Sequence, residues 1–224
     1  MENLIVLMAT NRTDEPYVQK AVSINNRYCE NHRYKFELID LNRHKEFITE
    51  GRTLHWCKIR IVLRYLLNYK HVMWIDDDAI FVDHDKSLSH ILNKFNQDVD
   101  LIVARDHQRL TLINTGVMIF KMSYRCISKL STALTSDKYA HMYEHFPYEQ
   151  GAIEDVFVNH QDQPQYNIES IHEISTPSKI YTTLIWDDKH LNHNEGDFIV
   201  HLAQMDNDHR NHIFEQHYQR LMVN

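Results

Sequence analysis

Three consecutive aspartates, Asp76, Asp77 and Asp78, follow the apolar run His71–Ile75 (HVMWI) and lead into Ala79-Ile80-Phe81. Carboxylates packed this closely repel one another unless a cation neutralises them, so the triplet calls for a divalent metal. Alternate residues of an extended chain share a face, which turns Asp76 and Asp78 toward one ion while Asp77 points elsewhere. Hard carboxylate oxygens suit Mg²⁺ or Mn²⁺ and leave coordination positions open for the phosphates of a ligand. An EF-hand is excluded, because the fifth position counted from Asp76 is Ile80 and the required glycine is missing. The bland alternative is a solvated acidic turn, which the apolar segments on both sides disfavour.

Composition narrows the field. The chain has 224 residues with 24 Lys+Arg against 31 Asp+Glu, a formal net charge of −7. Nucleic-acid binding needs a basic footprint to displace counterions, so that class is disfavoured, and anionic membranes with it. Only four glycines occur, at positions 51, 116, 151 and 196, too far apart for a Walker loop or a G-x-G-x-x-G turn. Any bound phosphate is therefore held by something other than a glycine-rich loop. Cys29, Cys57 and Cys126 are odd in number and contain no C-x-x-C, which suits reduced thiols in a reducing compartment. Leu4–Ala9 follows acidic Glu2, where an export signal would carry positive charge, and is expected to be a first strand. No apolar stretch approaches the roughly 18 residues of a membrane span. The expected setting is the cytoplasm, or a soluble catalytic domain cut from a membrane-anchored parent.

These residues need a scaffold to position them. Continuous apolar runs at Leu4–Met8, His71–Ile75, Leu101–Ala104, Gly116–Lys121 and Phe198–Ala203, and the alternating run Lys35–Leu41, predict strands. Helices are predicted from Pro16 to about His32, over Leu54–Leu67 and Ser87–Phe95, and after a Ser123 cap to about Thr135. Two more are predicted over Glu149–His160 and Arg210–Val223; Gln161–Asp197 is polar and carries no clear pattern. This alternation predicts one α/β domain over residues 1–224, with a mostly parallel central sheet flanked by helices. Ligands of such sheets collect beyond the carboxyl ends of the strands, where the aspartate triplet stands. His201, inside FIVHLA, reads as a core histidine satisfied by a backbone partner.

The stretch Trp74-Ile75-Asp76-Asp77-Asp78-Ala79-Ile80-Phe81 resembles the D-x-D signature of GT-A fold nucleotide-sugar glycosyltransferases. More narrowly, it is similar to the family of plant xyloglucan xylosyltransferases and fungal galactosyltransferases. His55-Trp56-Cys57-Lys58-Ile59, Asn114-Thr115-Gly116, Glu149-Gln150-Gly151-Ala152 and Phe198–Ala203 fall in that family's order. The resemblance implies a GT-A fold, a Mn²⁺ cofactor (Mg²⁺ as the alternative), a UDP-sugar donor and a glycan or glycoconjugate acceptor. It makes His201 the third metal ligand beside Asp76 and Asp78. It puts Thr10, Asn11 and Arg12 near the base and ribose, and Asp77, Lys58 and Asp106 near the rest of the donor. Asn114 falls near the transferred sugar, and Glu149 and Gln150 on the reactive face of its anomeric carbon, as a retaining enzyme requires.

Two positions depart from the family pattern. A lysine five residues after the metal histidine is replaced here by Asp206, so that phosphate contact falls to Lys58, His209 or Arg210. The acid pair before glutamine is Tyr148-Glu149, leaving one carboxylate; an inverting enzyme would instead use Glu149, Glu154 or Asp155 as general base. Two rivals stand beside this reading. One is a haloacid dehalogenase-type phosphatase loop with Asp76 as nucleophile, and the other a nucleotide-sugar or glycan-binding module without turnover.

Overall fold

Successive side chains of the first strand enter two different cores. The computed structural model describes residues 2–94, 99–105, 112–158, 166–167 and 198–223. In β1 (Glu2–Thr10), Leu4, Val6 and Met8 pack on one face while Ile5 and Leu7 pack on the other. The same division runs through β3 (Tyr69–Ile75) and β6 (Ile113–Lys121), as expected of strands buried on both sides. One core is closed by α1 (Pro16–His32), α3 (Leu88–Lys94) and α6 (Asn207–Tyr218). The other is closed by α2 (Cys57–Leu66), α4 (Tyr124–Thr135) and α5 (Tyr148–Phe157). The result is a three-layer α/β sandwich. Among the described residues, no helix is long and apolar enough to cross a membrane.

With β2 (Lys35–Asp40), β5 (Leu101–Arg105) and β7 (Tyr166–Asn167), the main sheet has the order β2-β1-β3-β6-β5-β7. Pairings of β1 with β2, β1 with β3 and β5 with β7 are parallel; β6 alone runs against its neighbours β3 and β5. Only seven residues separate β5 from β6, too few for the crossover that a parallel neighbour needs. This reversal carries functional weight, because it brings the start of β6 to the carboxyl end of β3. A second ladder pairs β4 (Ala79–Phe81) antiparallel with β8 (Ile199–His201).

Most elements match their predicted spans, and the differences have local causes. β6 begins at Ile113 rather than Gly116, because Ile113 and Asn114 pair with Arg105 and Ala104 of β5 beyond a register shift at Val103/Ala104. β8 ends at His201, short of Ala203. The last helix begins at Asn207, with Asp206 as its cap accepting from His209 N at 2.9 Å. That capping role is what the residue at the departing family position does here. The ends predicted at Phe95 and His160, and nearly all of the Gln161–Asp197 region, lie outside the described residues.

Candidate active site

The ladder between β4 and β8 builds the centre of the site. Ala79 stands opposite His201, and Leu202 N donates to Asp78 O at 2.8 Å, so register alone sets the imidazole beside the aspartate. His201 Nε2 lies 3.2 Å from Asp78 Oδ1. Asp76, Asp78 and His201 each bring a donor atom into a group within 4.8 Å of one another. From α1, the buried Asn25 clamps β4 by donating to Ala79 O at 2.9 Å and accepting from Phe81 N at 3.0 Å. His201 Nδ1 is buried and has no hydrogen-bond partner among the described residues. A core histidine would have satisfied that nitrogen. Two carboxylates and an imidazole with a spare nitrogen are the donor set of a divalent cation such as Mn²⁺, and the residues present fit one.

Gly116 makes room for this ring. A Cβ at that position would lie 2.1 Å from His201 Cε1, so the imidazole rests directly on the glycine backbone. Asp76 N donates to Gly116 O at 2.8 Å, which fixes the tip of β3 to the same point.

Each aspartate has its own cationic partner. Lys58 Nζ lies 3.1 Å from Asp76 and 3.1 Å from Glu149 Oε1, and donates to Thr115 O at 3.3 Å. Arg12 grips Asp77 in a fork, Nη2 to Oδ1 at 2.6 Å and Nε to Oδ2 at 3.2 Å, while Thr10 Oγ1 also donates to Oδ2. Arg210, on α6, donates from Nη2 to Asp78 Oδ2 at 2.7 Å and from Nε to Leu202 O at 3.3 Å. Trp74 Nε1 adds a bond of 2.6 Å to Asp76 Oδ1. Burial opposes ionisation of Asp78, yet His201 and then Arg210 outweigh it and hold the carboxyl well below the usual range. Asp77 moves the other way, raised by burial and by the neighbouring Asp78 against the pull of Thr10 and Arg12. Burial works against the Lys58 charge, but Asp76 and Glu149 overcome it and raise its pKa.

All of this lines one cavity of about 530 Å³. Around it the structure gathers Thr10, Asn11 and Arg12 from the end of β1, Asp76, Asp77 and Asp78 beyond β3, and Asn114 from β6. Lys58, Glu149, Gln150 and His201 also line it. Asp106 lies outside the described residues. Glu149 is buried and accepts from Thr115 Oγ1 at 2.9 Å; Gln150 Oε1 accepts from Thr115 N at 3.1 Å. Asn114 Oδ1 turns back to accept from Gly116 N at 2.9 Å. Glu154 and Asp155 are not on the cavity wall: the first accepts from Leu112 N at 2.7 Å and the second from Tyr139 Oη at 2.6 Å. Of the three carboxylates weighed as a general base, Glu149 is the one the cavity contains. Sequence reasoning missed Trp74, whose N–H two residues before Asp76 on one strand face was the available signal. It also missed the pairing of Arg210 with Asp78, for which long-range contact leaves no local signal.

Comparison with known proteins fixes the relationship. A sequence model of the galactosyl transferase GMA12/MNN10 family matches residues 2–124. The chain belongs to this family. The galactosyl transferase match contains the aspartate triplet and Lys58, and stops before Glu149 and His201. Family membership displaces the phosphatase-loop reading of the same aspartates. An uncharacterised alpha-1,2-galactosyltransferase of Schizosaccharomyces pombe is 27% identical over 113 residues, covering 46% of this chain and 29% of that protein. A second alpha-1,2-galactosyltransferase of the same yeast is 25% identical over 99 residues, covering 40% of this chain and 26% of that protein. The chain thus matches less than a third of the length of these curated relatives.

Among solved structures, a glycosyltransferase involved in the glycosylation of the major capsid of PBCV-1 superposes with a TM-score of 0.70 at 17% identity, covering 96% of this chain and 99% of that one. The galactosyltransferase LgtC, solved with donor and acceptor sugar analogues, gives 0.58 at 13% identity over 97% and 96%. Likeness at this level of identity establishes the GT-A glycosyltransferase fold.

Proposed function

We propose that this galactosyl transferase family member is a metal-dependent glycosyltransferase that moves a sugar from a nucleoside diphosphate, a UDP-sugar, to a glycan or glycoconjugate acceptor with retention. The observation that carries the reading is the convergence of Asp76, Asp78 and His201 in the same cavity as Glu149, linked to it through Lys58. Asp76, Asp78 and His201 would hold a cation, Mn²⁺ or Mg²⁺, which when bound would offset negative charge on the departing diphosphate. Asp77 serves from behind, fixing Arg12 at the rim where the Thr10–Arg12 loop receives base and ribose. Lys58 fixes the Glu149 carboxylate and keeps its charge beside Asp76 tolerable. Glu149, with the Gln150 amide, then faces the positive charge that grows at the anomeric carbon.

A panel of nucleotide sugars assayed for Mn²⁺-dependent hydrolysis tests this without an acceptor. Asp76→Asn or Asp78→Asn is expected to lower hydrolysis by at least about a hundredfold, the scale of losing a charge-stabilising group. Near-normal rates in both variants would remove the metal role.

A further inference from the structure

One part of the cavity wall is aromatic, and the function above makes no use of it. Phe146, Pro147 and Tyr148 enter α5 there, with His55 beside them on the short turn Leu54–Trp56. The His55 and Tyr148 rings stack at 4.6 Å between centroids with planes 13° apart, and Phe146 meets Tyr148 edge-on at 6.3 Å. His55 is exposed, and Phe146 keeps 44% of its surface in solvent. Among the described residues, Phe146 is the one exposed large apolar side chain on the cavity wall.

The corner is built against resistance. Tyr148 holds a left-handed φ of 53°, which side chains other than glycine seldom adopt. Gly151 lets Pro147 press onto α5, since a Cβ there would lie 2.4 Å from Pro147 Cγ. The next residue after Tyr148 is Glu149, so the Phe146 and Tyr148 rings and that carboxylate sit within four consecutive residues at the start of α5. Backbone strain that persists at a cavity mouth is characteristic of ligand clamps.

The geometry points to a platform for the acceptor saccharide beside Glu149, in which the exposed His55 ring, backed by Tyr148, takes the C–H face of a sugar ring and Phe146 flanks it. This assignment rests on the glycosyltransferase reading. The hydrogens on that face carry partial positive charge and meet the negative faces of the rings, while polar groups around the cavity fix the hydroxyls. The nucleotide is not the occupant: the metal ligands and the Thr10–Arg12 loop put the donor at the ends of β1 and β3, whereas these rings stand on the α5 side of Glu149.

The test is ligand-detected NMR with methyl glycosides of galactose, mannose and glucose, on the full chain with UDP and Mg²⁺, since Mn²⁺ broadens the resonances. Wild-type protein is expected to transfer saturation to the ring C–H protons of at least one glycoside. His55→Ala and Phe146→Ala, both at exposed positions and checked for native circular dichroism, should each reduce that signal at least fivefold, and His55→Phe should restore it. No transfer with wild type, or an undiminished signal in the double variant, would overturn the platform. So would a glycoside signal that is seen in a UDP-free sample and lost in the sample containing UDP, which would give the rings to the nucleotide. Failure of the glycosyltransferase reading shows separately, as absent metal-dependent donor hydrolysis by wild type.

Discussion

Replacing Gly116 with alanine puts a methyl group where the His201 imidazole already is. The new Cβ would lie 2.1 Å from Cε1, 2.6 Å from Nε2 and 2.7 Å from Nδ1, whereas ordinary contact begins at 3.4 Å. The ring or the strand has to retreat by about 1.3 Å. Neither moves freely. Gly116 sits within β6 with its carbonyl bound to Asp76 N at 2.8 Å, and His201 is pinned opposite Ala79 in the β4–β8 ladder. Metal–ligand distances tolerate only about 0.2 Å, so a ring displaced this far could not serve as the third ligand proposed above. Overpacking of this kind costs about 1–3 kcal/mol, which lowers the melting temperature by roughly 2–12 °C in a domain of this length. Mn²⁺ affinity, read by calorimetric titration in the presence of UDP, is expected to fall about 10- to 100-fold. In the Gly116→Ala background, adding His201→Ala should change affinity by less than about twofold, because the two substitutions remove one interaction. A Gly116→Ala protein that binds Mn²⁺ within about twofold of wild type and melts within about a degree of it would refute the argument.

Other perturbations follow from the same contacts. Asn25→Leu leaves a buried carbonyl at Ala79 and a buried N–H at Phe81 without partners, for a loss of about 2–5 kcal/mol in chemical denaturation; an unchanged midpoint would show that β4 does not depend on the clamp. Lys58→Met strips the cation from between Asp76 and Glu149, a loss of about 3–5 kcal/mol. Mn²⁺ should then raise the melting temperature more in the variant than in wild type, and equal gains would contradict the shared neutralisation. Burial first, and then Lys70, lowers the pKa of His71 below its ordinary 6.5. A folded-state value below the unfolded one favours the neutral ring, so this contribution is complete above about pH 6.5 and is lost as pH falls through the folded value. Wild type should therefore lose stability relative to His71→Gln between pH 7 and 5; parallel melting curves would exclude that linkage.

Much of the scaffold could be read directly because its signals are local. Pro16 opens α1, which ends at His32 as expected, and the Ser123 hydroxyl accepts from Cys126 N at the start of α4 as its cap position predicts. The aspartate triplet announced itself by lying at the end of an apolar run. Two kinds of feature were not legible. The reversal of β6 is invisible in a strand apolar on both faces, although the short link from β5 contained the clue. The ion pairs Arg12–Asp77, Lys58–Asp76 and Arg210–Asp78 join residues far apart in the chain, and no periodicity encodes which cation meets which anion. The same holds for the contact between Gly116 and His201, where glycine's missing side chain is the signal and only the fold says what fills the space.

The ladder that joins Ala79–Phe81 to Ile199–His201 also sets an order of events during synthesis. The carboxylates of Asp76 and Asp78 leave the ribosome well over a hundred residues before the imidazole and Arg210. A nascent polypeptide therefore carries these carboxylates for a long stretch of synthesis before the two side chains that Asp78 meets in the folded chain exist.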